Sequence, residues 1–196
     1  MIKKDVSTEE RSKLEQKSGC WRVVLAIGFM LVMLSSTWGG ALGSISGQDS
    51  EKLGTSVASL GDLNGDGFDD QIAGAPGFNS NKGAAYVFFG KIDFETLSYT
   101  SADADLKIYG AIAAGEFGSS VANADDVDGD GINDVLVGAP GASKTYVIDG
   151  ATIVSETAGD GIINVGDQGI ISITGESGTD GFGTSVSSAG DIDSDT

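Results

Sequence analysis

The residues with the clearest chemistry are Asp62-Leu63-Asn64-Gly65-Asp66-Gly67-Phe68-Asp69-Asp70, which put oxygen-bearing side chains at positions one, three, five and nine around a glycine at six. The pattern returns 64 residues later as Asp126-Val127-Asp128-Gly129-Asp130-Gly131-Ile132-Asn133-Asp134, and a third copy starts at Asp191-Ile192-Asp193-Ser194-Asp195. Glycine lets the chain turn sharply enough to aim the alternate side chains at one point. Such a donor set suits a hard cation, because calcium takes about six to eight oxygens at roughly 2.3–2.6 Å. The expected ligands are Asp62, Asn64, Asp66 and Asp70 with the carbonyl of Phe68, then Asp126, Asp128, Asp130 and Asp134 with the carbonyl of Ile132. Asp191, Asp193 and Asp195 would open a third site. Like charges ~4 Å apart repel by about 4 kcal/mol at an effective dielectric near 20, so these carboxylates call for a Ca2+ partner.

An EF-hand shares the first half of this pattern but needs a bidentate Glu at position twelve and a helix on either side. Position twelve here is Ala73 or Val137. The flanks, Ser56-Val57-Ala58-Ser59-Leu60 and Ile72-Ala73-Gly74-Ala75, are small, apolar and too short for helices, so each loop is expected to join two strands. A run of Asp, Asn and Gly could also form a solvated turn with no ion.

The repeated unit extends beyond the loop. Ser44-Ile45-Ser46-Gly47, Lys107-Ile108-Tyr109-Gly110 and Ser172-Ile173-Thr174-Gly175 precede Leu53-Gly54, Phe117-Gly118 and Phe182-Gly183, and Val57, Val121 and Val186 follow in register. After the loop come Gln71-Ile72-Ala73-Gly74-Ala75-Pro76 and Val135-Leu136-Val137-Gly138-Ala139-Pro140, then Tyr86-Val87-Phe88-Phe89-Gly90 and Tyr146-Val147-Ile148-Asp149-Gly150. Each unit therefore holds about four short strands, and a unit of that size cannot bury both its faces alone. Blades of a propeller solve that problem. The uninterrupted Val135-Leu136-Val137 fits a strand covered on both faces, and Ala58, Ser59, Ala122 and Ser188 suit crowded inner strands. The Asp- and Gly-rich stretch 160–167 lacks the alternating spacing and is expected to be a hairpin insertion within the second unit.

Phe117-Gly118 followed by Gly138-Ala139-Pro140, with an Asp-rich loop between, resembles the FG-GAP repeat of integrin alpha subunits and related secreted bacterial proteins. The resemblance covers roughly 44–196. It implies an all-β fold, a partial β-propeller of about two full repeats and the start of a third, drawn from a family whose propellers have seven blades with calcium loops in hairpins. The expected units are 53–116, 117–181 and a truncated 182–196. Leu53 in place of an aromatic, Gln71 within an apolar strand and an interval from Gly47 to Gly54 one residue short make the first unit atypical. Two units are fewer than the four to eight that close a propeller, so a fragment of a longer protein is expected.

Ahead of the repeats, residues 1–22 are polar with a modest positive bias, and Val23 to Leu34 is a twelve-residue apolar run followed by small residues ending at Gly39-Gly40-Ala41. This order predicts a signal peptide or signal anchor over 23–42, with 1–22 on the cytoplasmic side and 43–196 exported to the cell surface or beyond. Trp21 and Trp38 bracket the run as an anchor's interfacial pair would. Membrane attachment is expected only through this segment.

Among its 196 residues the chain has no histidine and one cysteine, Cys20, which removes the usual general base and any intramolecular disulfide. The Asp- and Gly-rich loops contain no phosphate-binding Gly-x-x-x-x-Gly-Lys-Ser/Thr. Beyond Ala41, 25 acids face 5 bases, a charge of −20 against −18 for the whole chain, which disfavours nucleic acid. No nucleophile–base pair is visible, so the chain is not expected to be an enzyme. The resemblance implies a calcium-stabilised adhesion or recognition module whose partner is a protein or glycan at a surface. Its alternatives are the accessory propeller of a secreted hydrolase, as in glycosylphosphatidylinositol-specific phospholipase D, and an architectural repeat of a large surface protein.

Overall fold

In a computed structural model that describes residues 44–91, 98–166, 169–178 and 180–190, each of the two complete Asp-rich loops joins two antiparallel strands, with no helix flanking it. Expectations for segments 1–22 and 23–42, and for Asp191, Asp193 and Asp195, fall outside these residues. Among the described residues, no helix is long and apolar enough to cross a membrane.

The strands are β1 (Ser44–Ser46), β2 (Val57–Gly61), β3 (Asp70–Ala75), β4 (Ala84–Phe88), β5 (Ser98–Thr100), β6 (Leu106–Tyr109), β7 (Ser120–Asp125), β8 (Asp134–Ala139), β9 (Lys144–Ile148), β10 (Ile162–Asn164) and β11 (Ile170–Thr174). The first unit forms an antiparallel meander β2-β3-β4-β6, and the second repeats it as β7-β8-β9-β11. The all-β expectation, with about four strands per unit, holds. β10 corrects the expected hairpin insertion: it leaves its own unit and pairs in parallel with β6 of the first, Ile163 opposite Ile108. In the same way β5 pairs in parallel with β1, Tyr99 opposite Ile45.

Alternation along the strands decides what each face buries. On one face of the first sheet, Leu60, Ile72, Val87, Leu106 and Ile108 pack against Val121, Val135, Val137 and Ile148 of the second. The intervening residues Ala73, Ala75, Ala84, Tyr86 and Phe88 form a second core with Ile45 and Tyr99 on the opposite face. The first sheet is thus sandwiched on both sides. Val135 and Val137 are fully buried, and Phe117 fills the joint between sheets with its ring 5.4 Å from that of Tyr146.

A helix, Gly150–Thr157, stands outside the all-β expectation. Its β-branched run Thr152-Ile153-Val154 is a poor helix former. Two compensations hold it: Asp149 accepts from the Ala151 N–H and the Thr152 hydroxyl, both at 2.8 Å, and Ile153 is fully buried in the core between sheets.

The two recurring glycine motifs meet where the sheets join. A side chain at Gly74 would put its Cβ 1.9 Å from the Gly118 carbonyl oxygen, and one at Gly138 would lie 2.0 Å from that of Gly183. Each Phe-Gly glycine thus occupies the space that a side chain on the preceding unit's Gly-Ala-Pro glycine would need. Its N–H meanwhile bonds its own unit, Gly54 to Gly74 O at 2.9 Å and Gly118 to Gly138 O at 3.0 Å. Because the obstruction is backbone, no rotamer relieves it. Gly74→Ala is expected to cost about 2 kcal/mol or more in urea unfolding, whereas Gly178→Ala, with no atom within 4 Å of its Cβ, should stay within ~0.5 kcal/mol.

Candidate metal centre

Both loops are built alike from the backbone up. A β-bulge precedes each, between Ser59 and Gly61 in the first unit and between Asn123 and Asp125 in the second. Gly61, Asp125 and Gly190 occupy equivalent places, all with left-handed backbone at φ +70°, +59° and +68°. Each N–H there bonds a side-chain oxygen two residues back, on Ser59, Asn123 or Ser188. The bulge turns the chain into the loop, and no reading of the acidic spacing exposes it, although Ser/Asn followed two residues later by Gly/Asp recurs in register.

Inside the first loop, Asp62 accepts the Asp66 and Gly67 N–H groups at 2.9 Å, Asn64 Oδ1 accepts the Asp66 N–H at 2.9 Å, and Asp66 accepts the Phe68 N–H at 2.9 Å. In the second, Asp126 accepts from Gly129, Asp130 and Gly131, Asp128 from Asp130, and Asp130 from Ile132, at 2.8–3.2 Å. These bonds wind the backbone round the acidic side chains. Gly67 and Gly131 sit at φ +91° and +89° with nothing within 4 Å of a would-be Cβ, so glycine is needed there for conformation alone.

The structure brings Asp126, Asp128 and Asp130 together, with one carboxylate oxygen from each lying within 4.8 Å of the others. That spacing fits three donors on one ion, since opposed ligands of a calcium at ~2.4 Å stand about 4.8 Å apart. In the first loop the matching position three is an amide, and Asn64 Nδ2 donates to Asp66 Oδ2 at 3.1 Å, which keeps these two side chains adjacent. Phe68 and Ile132 follow on the turn, where their carbonyls stand at position seven of each loop.

Asp70 and Asp134 are placed differently from the other carboxylates. Both are buried, at 0% and 2% exposure. Asp70 accepts the Leu63 and Asn64 N–H groups at 2.9 and 3.3 Å and the Gly90 N–H at 2.8 Å. Asp134 accepts from Val127 at 2.9 Å and Gly150 at 2.8 Å. Each ties the loop's start to the end of the unit's third strand. Gly90 and Gly150 are functional partners that the acidic pattern does not reveal, though both recur in register. Their would-be Cβ atoms lie 2.6 Å from Asp69 O and 2.2 Å from Asn133 O, so only glycine lets the amide approach. Asn133 also reaches back to donate to Leu60 O at 3.0 Å, joining the second loop to the end of β2.

A family model described as the FG-GAP repeat matches residues 53–88 and 117–173. Those two stretches are FG-GAP repeats. Its sheets are consistent with the blades of an FG-GAP β-propeller. Integrin alpha pat-2 of Caenorhabditis elegans is 35% identical over 162 residues, 79% of this chain and 12% of the relative. Integrin alpha-2 of Bos taurus is 37% identical over 109 residues, 53% of the chain and 9% of the relative, and integrin alpha-PS5 of Drosophila melanogaster is 36% identical over 97 residues, 49% and 10% respectively. The chain spans about a tenth of the length of these relatives.

Burial pushes the Asp70 carboxyl from its ordinary 3.8 up to about 6, partly offset by the three amides that bond it and reinforced by nearby Asp66. Asp134 is raised for the same reason, against the amides of Gly150 and Val127. A folded-state value above the unfolded one means that this group's contribution to stability is full below pH ~3.8 and is lost as pH rises through about 6. In chelator, therefore, the thermal midpoint of the wild-type chain should fall between about pH 4 and pH 7 more steeply than that of Asp70→Asn. Parallel profiles would contradict this account of Asp70.

Proposed function

We propose that this chain is part of an exported, calcium-stabilised FG-GAP propeller that recognises a protein or glycan ligand at a surface. The observation that carries the reading is the convergence of Asp126, Asp128 and Asp130 on one point within a loop wound by its own amides. The donors are all oxygen, the class calcium prefers. Asp126, Asp128 and Asp130 would hold the ion with the Ile132 carbonyl, and Asp62, Asn64 and Asp66 would do so with that of Phe68. Asp70 and Asp134, whose oxygens the loop amides already engage, would join the two sets through their remaining lone pairs, and Asp191, Asp193 and Asp195 would begin a third.

The ion's part is structural. Bound, it would neutralise carboxylates that otherwise repel and would add its binding free energy to folding. The kinship with integrin alpha chains supports adhesion or ligand recognition as the role, and loops braced in this way would present a fixed surface.

Calcium titration of the full chain by calorimetry tests the metal. About two ions per chain are expected from the two complete loops, falling to about one in Asp126→Ala. No calcium-dependent heat, or an unchanged thermal midpoint in excess chelator, would remove calcium from the proposal. Screening the chain against immobilised glycans and matrix proteins, in calcium and in chelator, tests recognition: retention should require calcium, and retention that ignores it would argue for an architectural repeat instead.

A further inference from the structure

β6 and β11 are equivalent strands, Ile108 matching Ile173, yet they end up differently. Ile108 is fully buried, and so nearly is Ile45 in β1 at 4%, whereas Ile173 is 49% exposed. Ile108 packs under the second sheet, and β6 differs from β11 also in what reaches its outer edge. β6 is extended by β10, which begins about 55 residues later in the chain, and β1 is extended by β5 at nearly the same separation. Both added strands run parallel to the strand they join, and both come from the connection between the third and fourth strands of the following unit. Two separate units thus obey one rule.

Hydrogen bonding gives that rule an address. On β6 the outward groups are the Lys107 N–H, which donates to Gly161 O at 2.9 Å, and the Tyr109 carbonyl, which accepts from Val165 N at 3.0 Å. The matching groups on β11 are the Ser172 N–H and the Thr174 carbonyl. Among the described residues, no strand pairs with this edge of β11.

We infer that the outer edge of β11 is a docking site for one parallel strand supplied by the third-to-fourth-strand connection of a following FG-GAP repeat. The occupant carries an apolar residue opposite Ile173, as Ile163 lies opposite Ile108 and Tyr99 opposite Ile45. Its recognition is main-chain pairing at Ser172 and Thr174, with side-chain specificity confined to that one position.

The experiment fuses a second copy of residues 150–166, through a flexible linker, behind Thr196 of the full chain, so that the strand is presented at about millimolar effective concentration. Hydrogen exchange at the Ser172 amide is the readout. Exchange slowed by roughly tenfold or more relative to the unfused chain, lost when the fused segment is scrambled, supports the proposal. A second variant, Ser172→Pro, removes the outward N–H without touching the pairing to β9, and in it the protection gained on fusion at the other outward amide, Thr174, should vanish while the β8–β9 amides stay protected. Unchanged exchange at Ser172 on fusion overturns the proposal. So does protection that depends on protein concentration and accompanies dimerisation, which would make a second copy of this chain the occupant.

Discussion

One backbone approach sets the geometry of everything else: the Gly118 carbonyl sits where any side chain on Gly74 would have to be, and Gly183 repeats the contact on Gly138. With the backbones that close, the apolar rows of β3 and β8 reach a common core with Phe117 closing the joint. The contact couples neighbours and does not stabilise a unit by itself. It explains why the two halves of the motif recur together although they are separated in each unit by a loop of quite different chemistry.

That loop is held by the same architecture. Asp70 and Asp134 lie under their loops with both oxygens engaged by amides, so the protein's own hydrogen bonds anchor the acidic turn to the end of the third strand. The exposed carboxylates above them are wound in place by backbone N–H groups. A chain carrying a surplus of 20 negative charges beyond residue 41 thus concentrates part of its charge where a divalent cation can offset it.

Much of this is legible from residue spacing. The short apolar flanks exclude an EF-hand, and β2, β3, β7 and β8 lie where those flanks place them. Convergence of Asp126, Asp128 and Asp130 follows from their odd-numbered positions round a glycine. The parts that escape are those whose cause is distant in sequence. Nothing near Ile162 shows that its strand belongs beside Lys107, and the helix of residues 150–157 defies its own β-branched composition because a cap and the core outweigh propensity. The burial of Asp70 and Asp134 likewise depends on Gly90 and Gly150, whose importance becomes visible only when the third strand is laid against the loop.

The strand exchange between units has a consequence for how such a protein is made. β6 acquires its outer neighbour only when residues near 162 have been synthesised, so at the ribosome a unit emerges unfinished and waits through about 55 further residues for its last strand. At ~5–20 residues per second that is a delay of several seconds, during which an open edge and its apolar flank face the cytosol or the export machinery. Folding of a long array would then advance with a constant lag of one unit, each newcomer sealing its predecessor. Translation speed, as well as sequence, would set how long an aggregation-prone edge stays available.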